Sequence, residues 1–165
     1  MSSRPNVNQP LRPSLLDQLI DSDPQVRVET PRTPAQVLRE LKRSVRRDIE
    51  DLLNTRWRNT EIPPELSRLE DSLINYGIPD FTAADMDAAR NPDVLLFAIA
   101  DCLRRFEPRL RNVRLQQVEP GETVSRTFLF RIEGTLCVEP LEEFVRYDSS
   151  FETTTCTIQL AGGGS

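Results

Sequence analysis

Between Thr33 and Asn54 the apolar residues Val37, Leu38, Leu41, Val45, Ile49, Leu52 and Leu53 recur at steps of three and four. That spacing places them on one stripe of an α-helix, with Arg39, Lys42, Arg43, Arg46, Arg47 and Glu50 over the remaining surface. Thr33-Pro34-Ala35-Gln36 supplies the start: a hydroxyl that can cap, a proline suited to the first helical position, and a glutamine where a capping box closes. In "ELSRLEDSLINYG", Leu66, Leu69, Leu73 and Tyr76 predict a second helix face, stopped by Gly77 and Pro79. "TAAD" (82–85) predicts a short helical turn. Asn91-Pro92-Asp93 opens another helix, whose run from Val94 to Phe106 is apolar almost all round and predicts the most buried element.

After residue 110 the period falls to two. Val113 and Leu115, then Phe128, Phe130 and Ile132, then Cys156, Ile158 and Leu160 alternate with polar neighbours, and "EPGET" (119–123) reads as a hairpin turn. Helices first and strands second predict an α+β domain over residues 33–160. Its N-terminal helices pack on one face of a small antiparallel β-sheet formed by the C-terminal half, and the sheet's other face is polar. Pro5, Pro10, Pro13, Pro24 and Pro31 exclude a long helix before that, so residues 1–32 are expected to be a flexible arm, and 161–165 a flexible tail. Within the arm, "PSLLDQLI" puts Leu15, Leu16, Leu19 and Ile20 on one side of a short helix. Residues 13–21 then either dock on a partner through Leu15, Leu16 and Leu19 or fold back on their own domain.

Composition narrows the chemistry. A chain of 165 residues can bury a core without covalent staples, but 38% hydrophobic content keeps that core modest. Cys102, Cys137 and Cys156 are an odd number in apolar or alternating contexts, which argues against a disulfide framework and for a reducing compartment; all three read as small buried side chains. No run approaches the ~18 apolar residues of a membrane span, and "MSSRPNVNQP" lacks a secretory apolar core, so a cytoplasmic protein is expected. The formal charge of -5 conceals a polarity: residues 32–58 carry eight basic against four acidic side chains, residues 119–160 three against eight. Such ends suit a part with differently charged neighbours.

Histidine is absent, the cysteines lack metal-ligand spacing, and neither a GxxxxGK nor a GxGxxG loop occurs, so no metal, cofactor or nucleotide is expected. The arginine-rich helix has interleaved acids and no aromatics, which argues against nucleic acid. Carboxylates alone could catalyse, in a pair about 5–9.5 Å apart across a sugar. Adjacent Glu70 and Asp71 diverge on a helix, and Glu107 has a guanidinium two residues on, where an acid catalyst must keep its proton. No catalytic residue is expected.

The joint "RRFEPRLRNVRL" (104–115) is the least ordinary stretch. Pro108 drives Glu107 out of the α region, so the helix must end near Phe106, and the proline then fixes the exit direction. In an extended segment Glu107 and Arg109 share a side. They can form a surface ion pair worth ~0–1 kcal/mol, or offer a fork donor and a carboxylate to a partner.

"SVRRDIEDLLNTR" (44–56), "SLINYGIPDF" (72–81) and "RFEPRL" (105–110), in that order, resemble the TssE family, the wedge component of the bacterial type VI secretion baseplate and kin of the small baseplate-wedge proteins of contractile-tailed phages. "PSLLDQL" (13–19) and "FRIEGTLCVEP" (130–140) extend the resemblance over nearly the whole chain. It implies a structural, non-enzymatic subunit at the inner face of the cytoplasmic membrane, not inserted in it, whose Glu107, Pro108 and Arg109 contact other wedge subunits. The implied partners are TssF, TssG and TssK in the wedge and TssB/TssC in the sheath. Strands around residues 128–138 and 151–160 would offer an edge on which sheath assembly starts. The segment after Pro140 follows the family pattern loosely. A lysozyme-like label within the family leaves peptidoglycan hydrolysis as the alternative.

Overall fold

The computed structural model describes residues 14–20, 25, 33–57, 63–69, 72–80, 91–118, 127–138 and 141–162. The turns expected at 82–85 and 119–123, most of the 1–32 arm and the last three residues lie outside them. Among the described residues three α-helices, α1 (Leu15–Leu19), α2 (Pro34–Asn54) and α3 (Pro92–Phe106), precede four strands. The strands β1 (Leu110–Val118), β2 (Thr127–Val138), β3 (Leu141–Glu152) and β4 (Thr157–Gly162) form one antiparallel meander in sequence order. This is the α+β arrangement the hydrophobic periods predict.

α2 begins on the capping box read from the sequence: the Gln36 backbone N–H donates to Thr33 Oγ1 at 3.3 Å and the Thr33 N–H to Gln36 Oε1 at 2.8 Å. A cap of this kind contributes about 1 kcal/mol. Leu41, Val45, Ile49, Leu52 and Leu53 are buried along the predicted stripe. α2 lies over β4 and α3 over β1, so the core is sealed between two helices and the sheet face carrying Phe130, Ile132, Leu136, Val145, Tyr147 and Phe151. Each large side chain so enclosed contributes about 1.5–3 kcal/mol before entropy is charged. The opposite face is polar, with Arg131 and Asp148 paired across β2 and β3 at 2.6 Å.

Four expectations are corrected. α3 is not buried all round: Leu95, Ile99, Cys102 and Leu103 face the core, while Val94 and Phe97 are exposed, because none of the described residues covers α3's outer face. The leucine face at 66–76 is not a continuous α-helix but two short 3₁₀ turns, Pro64–Leu69 and Leu73–Asn75, with Leu66 and Leu73 exposed. Ser72 explains the second turn, since its hydroxyl donates to the Leu69 carbonyl at 2.7 Å and accepts the Ile74 N–H, giving the backbone a non-helical alternative. The segment 151–160 is not one strand: β3 ends at Glu152, and a turn ending in Cys156 at φ 53 precedes β4. Cys137 is half-buried on the outer face of β2 rather than buried.

β3 itself is absent from the sequence reading. Its inward residues are Val145, Tyr147, Ser149 and Phe151, and a serine inside with an exposed Phe144 outside blurs the alternation.

Two glycines are fixed by close approach. Gly134 lies opposite a bulge in β1, where Asn112 has φ 53, and a Cβ there would sit 3.0 Å from Leu110 Cδ1. Gly77 has φ 108 and lets Ile78 N–H reach the Thr55 carbonyl at 3.0 Å, tying the chain after α2 to the turn before residue 80. A Cβ on Gly77 would come within 2.2 Å of Thr55 O. Gly77→Ala is therefore expected to lower unfolding free energy by about 3 kcal/mol in urea titration, more than glycine's backbone freedom alone would explain.

Candidate functional site

α3 ends where Pro108 requires. Glu107 leaves the helix at φ -119, its N–H still bonded to Leu103 O at 3.0 Å, and Leu110 N–H returns to Glu107 O at 3.1 Å. The Arg109 carbonyl then accepts from Cys137 N–H at 2.8 Å, so the tripeptide is the hinge pin between helix layer and sheet.

Its side chains do not form a surface pair. Glu107 is buried, 4% exposed, and both its oxygens are engaged: Oε1 accepts from Arg109 Nε at 2.7 Å and Arg109 N–H at 3.2 Å, Oε2 from Arg109 Nη2 at 2.6 Å. The sequence expectation of an exposed pair is corrected here, because the corner folds inward against α2 and excludes water from the carboxylate. The same Nη2 also donates to Asp48 Oδ2 on α2 at 2.7 Å. Hydrogen bonds to Glu107 push the Arg109 pKa up, burial opposes this, and Asp48 adds to the rise. Tyr147, packed in the same region, is pushed up to about 12 by burial, with the Glu107 charge adding to it.

The ion pairs continue. Asp48 Oδ1 accepts from Arg47 Nη2 at 3.0 Å, and that nitrogen also reaches Asp17 Oδ1 on α1 at 3.0 Å. Asp17 Oδ2 accepts from the Ser14 and Ser44 hydroxyls, both at 2.6 Å. Ser44, Arg47 and Asp48 stand at i, i+3 and i+4 on α2, hence on one face, which is why one helix can hold α1 on one side and the corner on the other. Glu107, Arg109, Asp48, Arg47 and Asp17 form one continuous run of alternating charge.

α1 is thereby attached by its polar side. Leu15 and Leu19 are each 81% exposed, Leu16 is 59% and Ile20 50% exposed. Of the two arrangements left open by the sequence, the helix does lie against its own domain, yet with the leucines turned outward. Burial works against ionisation of Asp17, but hydrogen bonds from Ser14, Ser44 and Arg47 outweigh it and hold the carboxyl below its ordinary 3.8.

Sequence reasoning singled out Glu107, Pro108, Arg109 and the three leucines; it passed over Asp17, Ser44, Arg47, Asp48 and Asn54, which the structure joins to them or to β4. The spacing of 44, 47 and 48 was a usable signal. Asn54 had none: its amide donates to Ile158 O at 2.8 Å and accepts Ile158 N–H at 2.9 Å, occupying the outer edge of β4 as a strand would. Arg56 adds a bond to the Cys156 carbonyl. Among the described residues no group of His, Cys, Asp and Glu could hold a metal, and no helix is long and apolar enough to cross a membrane.

One run of ion pairs thus holds a charged corner and a short helix with its leucines facing out in fixed relation to α2. The chain belongs to the baseplate wedge protein gp25 family, whose pattern it matches over residues 39–141. The match includes Asp48 and the Glu107–Arg109 corner and leaves out α1 and β4. No curated protein and no solved structure is similar enough to the chain to count as a match. The family is one of structural baseplate components that act among other baseplate proteins.

Two outcomes follow from the ion-pair run. Arg109→Met strands a buried carboxylate and is expected to cost about 3–5 kcal/mol in urea unfolding, part of which Glu107→Gln restores in the double variant. For Asp17 the folded pKa is the lower one, so its contribution is complete above the unfolded value and fades as pH falls through the folded value. The stability gap between wild type and Asp17→Asn should accordingly be level above about pH 5 and close on acidification.

Proposed function

We propose that this chain is the TssE-type wedge subunit of a type VI secretion baseplate, acting in the cytoplasm. At its Glu107-Pro108-Arg109 corner the exposed Pro108 and half-buried Arg109, held by the buried Glu107, form with the Leu15, Leu16 and Leu19 face of α1 the contact surface for the other wedge subunits, TssF, TssG and TssK. Sheath proteins TssB/TssC then begin to assemble against its sheet. The role is structural: both Glu107 and Asp48 spend oxygens on Arg109, an arrangement that stiffens a corner and offers no water-activating pair.

The observation that carries this reading is the attitude of α1. A helix with large apolar side chains pointing to solvent is held in place by Asp17, Ser14 and Ser44, so the leucines are presented at a fixed position relative to the charged corner. Presentation of apolar groups at no entropic cost of ordering is what a docking surface needs. Sheath strands have an edge to join at β1, and at the Leu160–Gly162 end of β4, where alternation turns the backbone outward beyond the Asn54 plug.

Co-purification tests this. Leu15→Ser with Leu19→Ser, both at exposed positions, is expected to leave the unfolding midpoint unchanged while lowering recovery of TssF and TssG with the tagged chain at least roughly tenfold, the loss of about 1.4 kcal/mol. Full recovery of the wedge subunits by the folded double variant would overturn the assignment of α1.

A further inference from the structure

On the far side of α2 from α1, an open cleft of about 210 Å³ lies between that helix and the end of β4, lined by Arg39, Lys42, Arg43, Arg46 and Gly162. The four cations stand at i, i+3, i+4 and i+7 and so share one helical face. Their charge is met unevenly. Lys42 Nζ bonds Glu143 Oε1 at 3.0 Å, and Arg39 Nε turns to the Ala35 carbonyl at 3.3 Å. Among the described residues Arg43 meets no acid, and Arg46 Nε is buried without an acceptor. Both guanidiniums lack an acid partner among the described residues, which leaves the cleft an excess of positive charge that an anion from outside the chain would match.

We propose that this cleft binds a short acidic peptide segment of a partner protein, whose Asp and Glu carboxylates take the donors of Arg43 and Arg46. Planar guanidinium forks match carboxylates in pairs, and two free forks one turn apart on a rigid helix fix the spacing of the acids they accept. Nucleic acid fits less well. Glu143, bonded to Lys42 at the cleft, would repel a run of phosphates, and none of the lining residues is an aromatic on which a base could stack. The site is separate from the charged corner and stands whether or not the wedge reading does.

The test is fluorescence anisotropy with the full chain and a fluorescein-labelled hexaglutamate peptide. Saturable binding that weakens with salt is expected, with Arg43→Gln and Arg46→Met each weakening it about tenfold or more and Arg104→Gln, an exposed arginine on α3, leaving it unchanged. Arg43 is exposed, so its variant keeps the fold even should Arg46→Met lose it. The proposal is overturned if the peptide does not bind, if Arg104→Gln weakens it as much as Arg43→Gln, if inorganic phosphate competes as well per charge as free peptide, or if a thymidine oligonucleotide of equal charge binds more tightly through the same arginines.

Discussion

One guanidinium does the joining in this fold. Arg109 grips Glu107 with two nitrogens and Asp48 with one of them, so the end of α3, the start of β1 and the middle of α2 meet at a single side chain. The meeting point is built from charges in a place largely closed to water. Two carboxylates and one cation there confer little net stability compared with an apolar corner of the same shape, yet losing the cation leaves the buried Glu107 carboxylate uncompensated. Such a joint trades energy for directionality, because hydrogen-bonded forks tolerate far less angular error than leucines in contact.

That directionality passes outward. α2 carries Ser44, Arg47 and Asp48 on the face turned to the corner and to α1, its leucine stripe toward the sheet, and the cleft arginines on a third side. One 21-residue helix therefore sets the relative positions of a charged corner, a short helix with its leucines outward and a basic cleft. The wide separation of positive and negative residues along the chain becomes a spatial one, with the acid-rich strands presenting their polar face on the side of the sheet that the helices do not cover.

What could be read in advance was local. The capping box, the stripe of α2, the stop at Glu107 and the pairing of Glu107 with Arg109 all involve residues within a few positions of each other. The 3₁₀ turns around Ser72 were misread because leucine spacing describes only what a helix would bury, and a serine hydroxyl competing for the backbone outweighs it where no core surface is on offer. β3 was hidden by a buried Ser149 and an exposed Phe144, each on the face that alternation assigns to the other kind. Asp48 and Asp17 belong to the site only by folding: Arg109 reaches across 61 residues to one, and Arg47 across 30 to the other. Periodicity carries no information about a partner that distant.

The Asn54 amide on β4 has a bearing on how such molecules are stored before use. A bare flank on a four-stranded meander is a template on which identical chains zip together. By spending both halves of one amide on Ile158, the end of α2 stoppers that flank partway along, so a pool of these subunits waiting for the rest of the machine is denied an easy route to a fibre on that side.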